Sequence, residues 1–332
     1  VRYRITLIEG DGIGPEVTRA ACRVLEAAGA PVEWEPVPAG AGAIPDHGTP
    51  LPDFVLTSIK NNRVALKGPL ETPKGGGWKS ANVGLRQGLS LYTGWRPVKS
   101  LPGVRTPYDD VDLVVLRENT EGLYTGIEHE VTPGTIVTLK VTTAAAAERI
   151  ARWGFEHARN AGRRRITVCH KRGVQPLGDG AFVDAFFRIG EEYPFIEKDS
   201  ESLDDVALRL AEDPSRYDVL LMENLYGDIL SDLCAGLVGG LGVVPGANVG
   251  DGVAVFEAVH GTAPDIAGRG VANPLAVLLS GVLMMQYMGE RKVADRVERA
   301  IHDVLAKGTH TTRDLGGTAD TQTFTDALCD AL

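Results

Sequence analysis

Residues 219–236 read Val-Leu-Leu-Met-Glu-Asn-Leu-Tyr-Gly-Asp-Ile-Leu-Ser-Asp-Leu-Cys-Ala-Gly. Asp228 and Asp232 stand i,i+4, so on a helix they stack on one face with Cβ atoms about 5–6 Å apart. Two carboxylates so placed repel unless something positive lies between them, and a hard divalent cation such as Mg²⁺ suits their oxygens. A solvated acidic face is the commoner meaning of a lone Asp-x-x-x-Asp. Here Ile229, Leu230, Leu233 and Cys234 surround the pair, and carboxylates set in apolar sequence need a compensating charge. The pattern predicts a metal site on a helix that follows a short buried strand, Val219–Met222. If repulsion alone acted on the metal-free pair, Asp228→Asn would raise thermal stability.

Arg86, Arg96 and Arg117 are expected at helix or strand ends, Arg117 closing a strand at 111–117. They read either as ordinary surface charge or as bidentate donors for a substrate with several carboxylates. Gly68–Gly77 is a glycine-rich loop, either a plain surface loop or one whose backbone N–H groups approach an anion. The turn Glu9-Gly-Asp-Gly-Ile-Gly-Pro-Glu16 follows a strand at 2–8 and opens a helix running to about Ala28. A dinucleotide-binding Gly-x-Gly-x-x-Gly would need glycine at position 15, where Pro15 stands. Proline suits the first turn of a helix but cannot give the close helix–strand contact that glycine gives.

The elements that must position these residues alternate. Strands are expected at 63–67, 163–170 and 252–256, and helices at 142–161, 180–193, 204–211, 293–305 and 321–332. Such alternation implies an α/β architecture with a largely parallel sheet. The 332 residues fit one large or two ordinary domains. The longest apolar stretch, 274–288, is too short to cross a bilayer and reads as a core or interface helix. A net charge of -10 argues against nucleic acid as a partner. Any anionic substrate must then be gathered by a local basic cluster. Cys22, Cys169, Cys234 and Cys329 have no metal-ligand spacing and read as reduced thiols. Val1–Ile8 lacks the apolar core of a secretory leader, so the expectation is a cytoplasmic protein with no membrane partner.

Several stretches together resemble one family, the β-decarboxylating dehydrogenases of isocitrate, isopropylmalate and homoisocitrate. They are Gly10–Glu16, Ser80-Ala-Asn-Val-Gly-Leu-Arg86, Arg117-Glu-Asn-Thr-Glu-Gly-Leu-Tyr124, His170-Lys171, Asn224–Asp232 and His260-Gly-Thr-Ala-Pro-Asp-Ile-Ala-Gly268, in the family's order and almost end to end. The resemblance implies an isopropylmalate dehydrogenase-like fold rather than the usual Rossmann fold. A large domain would comprise residues 1–98 and 252–332, and a smaller dimerising domain residues 99–251. It further implies a homodimer with shared active sites in the cleft between the domains. Asp228 and Asp232 would hold Mg²⁺ or Mn²⁺ together with Asp204 of the other copy. Arg86, Arg96 and Arg117 would clamp the malate part of a small anionic 2-hydroxy acid. Tyr124 and Lys171 would be the acid–base pair, Lys171 coming from the other copy.

That chemistry suits the residue types. A lysine whose pKa is lowered by cationic surroundings can take the hydroxyl proton as hydride leaves, and a tyrosine can protonate the enolate carbon after CO₂ departs. For the cofactor the resemblance implies NAD. Asp265 would accept the adenosine ribose hydroxyls and repel a 2′-phosphate, where bacterial NADP-dependent relatives carry Lys-Tyr in place of Asp265-Ile266. His260, Gly261, Thr262, Ala263 and Asn273 would surround the adenosine, with Leu70, Thr72 and Asn224 completing the cofactor set.

Ser80 and Asn82 resemble the isocitrate enzymes, and no leucine stands between Gly75 and Gly84 to meet an isopropyl group. The chain departs from those enzymes at Arg172 and Gly173, where a small residue and asparagine are usual, and at Lys74, Trp78 and Thr93-Gly94-Trp95. Lys74, Lys79 and Arg172 leave open a distal group more anionic or bulkier than a carboxylate, a phosphonate for example. The alternatives to isocitrate are therefore homoisocitrate, isopropylmalate or a modified analogue. A catalytically weak regulatory subunit is a further reading, against which the retention of Tyr124, Lys171 and three aspartates speaks. A metal-free Rossmann-type 2-hydroxy-acid dehydrogenase is the last, against which Pro15 speaks.

Overall fold

The computed structural model describes residues 2–73, 77 and 80–332. Lys74, Trp78 and Lys79 lie outside the described residues. The strands are, in chain order, β1 (Tyr3–Ile8), β2 (Val32–Pro36), β3 (Val64–Lys67), β4 (Thr93–Lys99), β5 (Asp112–Glu118) and β6 (Gly122–Thr132). They continue with β7 (Thr135–Val141), β8 (Arg165–His170), β9 (Glu197–Ser202), β10 (Val219–Met222), β11 (Pro245–Gly250) and β12 (Val253–Ala258). The chain divides into two compact units, the first comprising 1–91, 100–109 and 238–332, the second 92–99 and 110–237.

In the first unit the strands run in the order β2-β1-β3-β12-β11, parallel except for the β11–β12 pair. The helix Gly14–Ala27 has Pro15 in its first turn. It buries Val17, Ala20, Ala21, Val24 and Leu25, the i, i+3, i+4, i+7, i+8 spacing of an amphipathic helix. The helix Leu275–Tyr287 is buried over most of its length. The apolar stretch at 274–288 is therefore core. Gly10 and Gly12 have φ of 83° and 61°, and a Cβ on either would meet the carbonyl oxygen of Pro69 or Thr262 at 2.2 and 2.1 Å. The glycines of this turn let three loops close on one another, which is a packing role. Asp11 completes the closure by accepting the backbone N–H groups of Ala41, Gly42 and Glu71 at 2.9, 2.9 and 2.8 Å.

In the second unit the order is β4-β5-β10-β8-β9, with β4 antiparallel to β5 and the rest parallel. One face carries a core of Leu116, Phe155, Ile166, Val168, Phe182, Phe186, Val219 and Leu221; burying each large side chain contributes about 1.5–3 kcal/mol. The helix Ala144–Ala161 starts on Thr143, whose side chain accepts the N–H of Ala146, and stops at Gly162 in the left-handed region. Trp95, at one of the sequence's departures, packs against Trp153 and His157 with ring centroids 5.8 and 4.9 Å away. Burial lowers the pKa of His157 to about 4, so this half-buried aromatic group, packed against the core, is neutral. β6 and β7 form a separate antiparallel hairpin that exposes Ile127, Val131, Ile136, Val137 and Leu139.

Candidate active site

The residues singled out by the sequence fall in both units. In the second, β10 leads into the helix Asn224–Leu237, which carries Asp228 and Asp232 one turn apart. The helix lies close against β5 because position 227 is glycine: a Cβ there would come within 2.6 Å of Arg117 Cβ. Arg117 is only 1% exposed. Its Nε and Nη2 donate to Asn224 Oδ1 at 2.9 and 2.8 Å, and Nη1 donates to Asp228. Asn224, expected beside the cofactor, is itself buried; besides holding Arg117, it donates to the Glu121 carbonyl at 2.8 Å.

Arg96, from β4, donates to Ser231 and lies 3.6 Å from Asp232 and 4.0 Å from Asp228. Tyr124, from β6, donates its hydroxyl to Asp228 Oδ2, while the Arg117 guanidinium sits 4.9 Å from its ring centroid. Burial raises the Tyr124 pKa, the hydrogen bond to Asp228 adds to the rise, and Arg117 opposes it. The phenol therefore keeps its proton at neutral pH. Burial also raises the pKa of Asp232, opposed by Arg96 and assisted by Asp228. Two guanidiniums, two carboxylates and a phenol thus meet on one helix face.

The repulsion expected between the aspartates is answered by Arg96 and Arg117. This reverses the stability expectation for Asp228→Asn, because the substitution takes an anionic partner from a buried arginine. Asp228 and Asp232 side chains are 38% and 55% exposed, so hard carboxylate oxygens on one helix face reach solvent, as a divalent cation requires.

Lys171 follows β8. Its ammonium pairs with Asp204 and donates to Ser202 Oγ at 3.3 Å, so its neighbours here are a carboxylate and a hydroxyl rather than cations. The Lys171 ammonium and the Ser202 hydroxyl hold the Asp204 carboxyl at about 2. Asp204 thus joins Lys171, and among the described residues no group of three or more His, Cys, Asp or Glu converges to hold a metal. Arg172 pairs with Asp184 at 3.1 Å. Gly173 has open space where a side chain would stand.

In the first unit, Arg86 belongs to the helix Ala81–Gly88, with Ser80 at its N-cap and Asn82 in its first turn. Asn82 Oδ1 is buried and has no hydrogen-bond partner among the described residues. Arg86 lies 3.9 Å from Glu257 of β12, which also pairs with Lys67 at 2.6 Å and accepts from Asn248 at 2.6 Å. Burial alone would raise the Glu257 pKa, but the charges of Lys67 and Arg86 with the hydrogen bonds of Lys67 and Asn248 bring it down to about 2. A carboxyl depressed in the folded state stabilises fully above its unfolded pKa and loses that contribution as pH falls toward the folded value. Glu257→Gln should therefore lower Tm more at pH 7 than at pH 3, as thermal melts would show. The sequence signal for this cluster was a lone acid and a lone lysine inside apolar strands, which must be paired when buried.

A cavity of about 1150 Å³ opens beside the residues expected at the adenosine, and His260, Gly261, Ala263, Ile266 and Asn273 line it. Thr262 turns its carbonyl to the N–H of Ile13 at 2.9 Å. Asp265 is exposed on the same short 3₁₀ turn as Ile266. Ala263, at φ 40°, holds a left-handed conformation without being glycine, a strain of roughly 1–3 kcal/mol. Burial lowers the His260 pKa, so the ring is neutral. Its Nε2 is buried without a hydrogen-bond partner among the described residues. A cavity of this size whose wall holds an unsatisfied ring nitrogen fits a nucleotide. Arg269, Arg313 and Asp314 also line it and were not among the residues picked from the sequence. Leu70 packs against the core around Ile8, Val55 and Leu85, and Thr72 is half-buried on the same loop.

This fold and these residues are those of a dehydrogenase: the chain belongs to the isocitrate/isopropylmalate dehydrogenase family, whose model matches residues 4–330. Within it the chain is 49% identical to the probable NAD isocitrate dehydrogenase subunit alpha, mitochondrial, of Caenorhabditis elegans, over 98% of this chain and 91% of that one. It is 46% identical to the human NAD isocitrate dehydrogenase subunit alpha, mitochondrial, over 98% and 89%. The crystal structure of isocitrate dehydrogenase from Methylococcus capsulatus superposes with a TM-score of 0.95 at 46% identity, covering 99% of both chains.

The isopropylmalate dehydrogenase-like α/β fold stands as expected. The cytoplasmic expectation does not, since the curated relatives from fly, worm, fission yeast, Arabidopsis and human are named as mitochondrial. The physical reason is that reduced cysteines and an acidic surface suit any reducing compartment and do not separate one from another.

Proposed function

We propose that the chain catalyses the NAD-dependent oxidative decarboxylation of isocitrate to a 2-oxo acid, CO₂ and NADH, with Mg²⁺ or Mn²⁺. The observation that carries this reading is the meeting of Arg117, Tyr124 and Arg96 on the Asp228–Asp232 face, on a chain nearly half identical to NAD isocitrate dehydrogenase subunits. Asp228 and Asp232 would hold the metal, with Asp204 contributed by a second copy. A metal held there would supply Lewis acidity toward the substrate's oxygens, and the nicotinamide would supply the hydride acceptor.

The chain's own groups do the rest. Arg96 and Arg117 bind and orient substrate carboxylates through charge-assisted pairs, a role assigned to Arg86 as well. Lys171 of a second copy accepts the hydroxyl proton during hydride transfer. Tyr124, protonated at neutral pH, delivers a proton to the carbon that loses CO₂. Ser80 and Asn82 are assigned to the distal carboxylate, the feature that distinguishes isocitrate from isopropylmalate. The exposed apolar side chains of the β6–β7 hairpin suit a dimer contact. The relatives' designation as subunit alpha leaves the second copy to be an identical or a related chain.

The test is an assay of the purified protein with isocitrate, NAD⁺ and Mn²⁺, in which NADH and CO₂ should appear one for one. EDTA should abolish both and added Mn²⁺ restore them. NADH formation that persists through chelation would refute the metal assignment.

Asp265 should favour NAD⁺ over NADP⁺ in kcat/KM by at least about tenfold, which needs only ~1.4 kcal/mol of discrimination. Asp265→Lys with Ile266→Tyr should narrow or invert the preference. Equal efficiency of the parent protein with both cofactors would count against Asp265 as the determinant.

A further inference from the structure

One buried carboxylate in the second unit gathers donors from three separate elements. Asp179 opens the helix Gly178–Gly190 and is 2% exposed. It accepts the backbone N–H of Lys171 at 2.5 Å, the ammonium of Lys140 from β7 at 2.5 Å, and the hydroxyl of Tyr226 at 3.2 Å. Tyr226 lies on the helix that carries Asp228 and Asp232.

Lys171 is the first residue beyond β8, whose ladder with β9 ends at the His170–Ser202 pair. Past that point sheet bonding no longer fixes the backbone. The turn that follows bonds to itself: the Lys171 carbonyl accepts Val174 and Gln175 N–H at 2.8 and 2.9 Å, and Arg172 N–H donates to His170 Nδ1 at 3.1 Å. Asp179 ties this turn to the body of the unit.

Lys140 keeps Asp179 in place. Its ammonium lies 4.6 Å from the Tyr226 ring centroid and 3.6 Å from Glu223. Burial works against the charge on Lys140, but the hydrogen bond to Asp179 and the charges of Glu223 and Asp179 outweigh it and raise its pKa. Asp179 is the nearer counter-ion, at 2.5 Å against 3.6 Å for Glu223.

We propose that Asp179 is a positioning residue for Lys171, fixing through the backbone N–H the direction in which the ammonium leaves the strand end. Asp179 does not meet substrate. Its effect passes through Lys171, and the proposal rests on the reading of Lys171 as proton acceptor. A side chain misdirected by about 1 Å can cost roughly 10²-fold in rate.

Asp179→Asn retains an acceptor but loses the charge that holds Lys140. It should lower kcat by about 10- to 100-fold, with KM for isocitrate and NAD⁺ nearly unchanged. The isotope effect on kcat with isocitrate deuterated at its carbinol carbon should rise as chemistry becomes limiting. In a Lys171→Met background the same substitution should change the residual rate little, because the group it positions is gone. Tyr226→Phe, which removes one donor to Asp179 and a longer 3.4 Å acceptor of Lys140 while leaving the Lys140–Asp179 pair in place, should show a smaller loss with the same dependence on Lys171, and it serves if Asp179→Asn does not fold. Equal proportional losses with and without Lys171, or an unchanged kcat in Asp179→Asn, would overturn the proposal alone. Parent-like turnover by Lys171→Met would instead overturn the reading on which it rests.

Discussion

Lys171→Met is expected to stop both NADH formation and CO₂ release, whereas Tyr124→Phe should impair the later steps more than the first. On the proposed reading the two groups serve different protons: the Lys171 side chain, as the neutral amine, takes the hydroxyl proton as hydride leaves, and the Tyr124 phenol returns a proton to carbon after decarboxylation. Removing such a group typically costs roughly 10²–10⁴-fold in rate, more than the loss of packing from either half-exposed side chain. The two are separated by supplying oxalosuccinate, the 2-oxo intermediate. Its NADH-dependent reduction should survive Tyr124→Phe better than its conversion to final product does. Proportional loss of both steps in both variants would contradict the division of labour. Within one chain Lys171 pairs with Asp204 while Tyr124 bonds Asp228; on the proposed reading each copy lends its lysine to another. Mixing the two inactive variants should then restore part of the activity through one intact site per mixed dimer. No recovery on mixing would place both groups in a single copy's site.

Asp228→Asn should nearly abolish turnover and leave the fold intact. The substitution removes a proposed metal ligand, the negative charge, and one of the two oxygens that separately accept Arg117 and Tyr124. Because Arg117 is almost wholly buried, the metal-free protein should lose stability rather than gain it. With the carboxylate side chain 38% exposed, solvent screening keeps the loss to about 1 kcal/mol. Urea or thermal melts in EDTA measure that change, and activity across Mn²⁺ concentrations measures the other. Parent-like activity at limiting Mn²⁺ would remove Asp228 from the metal site.

The parts of the site that the sequence made legible are those where chemistry conflicts with its surroundings. Asp228 and Asp232 stood out because they interrupt an apolar helix, and Pro15 because it breaks a glycine pattern; both contrasts are local. Strand β9 reads Glu-Lys-Asp-Ser-Glu-Ser, with no apolar residue to set a period of two, so only its ladder with β8 makes it a strand. The β6–β7 hairpin was equally silent, since its apolar residues face outward and alternate against no core. Asp179 carried no signal of its own, standing just ahead of the helix expected at 180–193. Its three donors come from positions 140, 171 and 226, and that convergence exists only after folding. Arg96 and Arg117 were legible as candidate clamps, but their roles as counter-ions to the two aspartates depend on β4 and β5 lying beside the helix.

The central claim, that this site oxidises and decarboxylates isocitrate with NAD⁺, is tested most directly by one competition among substrates. Purified protein with NAD⁺ and Mn²⁺ would be offered isocitrate, homoisocitrate and isopropylmalate separately, and kcat/KM read from NADH absorbance. Isocitrate should exceed each of the others by at least about tenfold, a difference of ~1.4 kcal/mol in transition-state binding. NADH formation from one of the others with none from isocitrate would contradict the assignment.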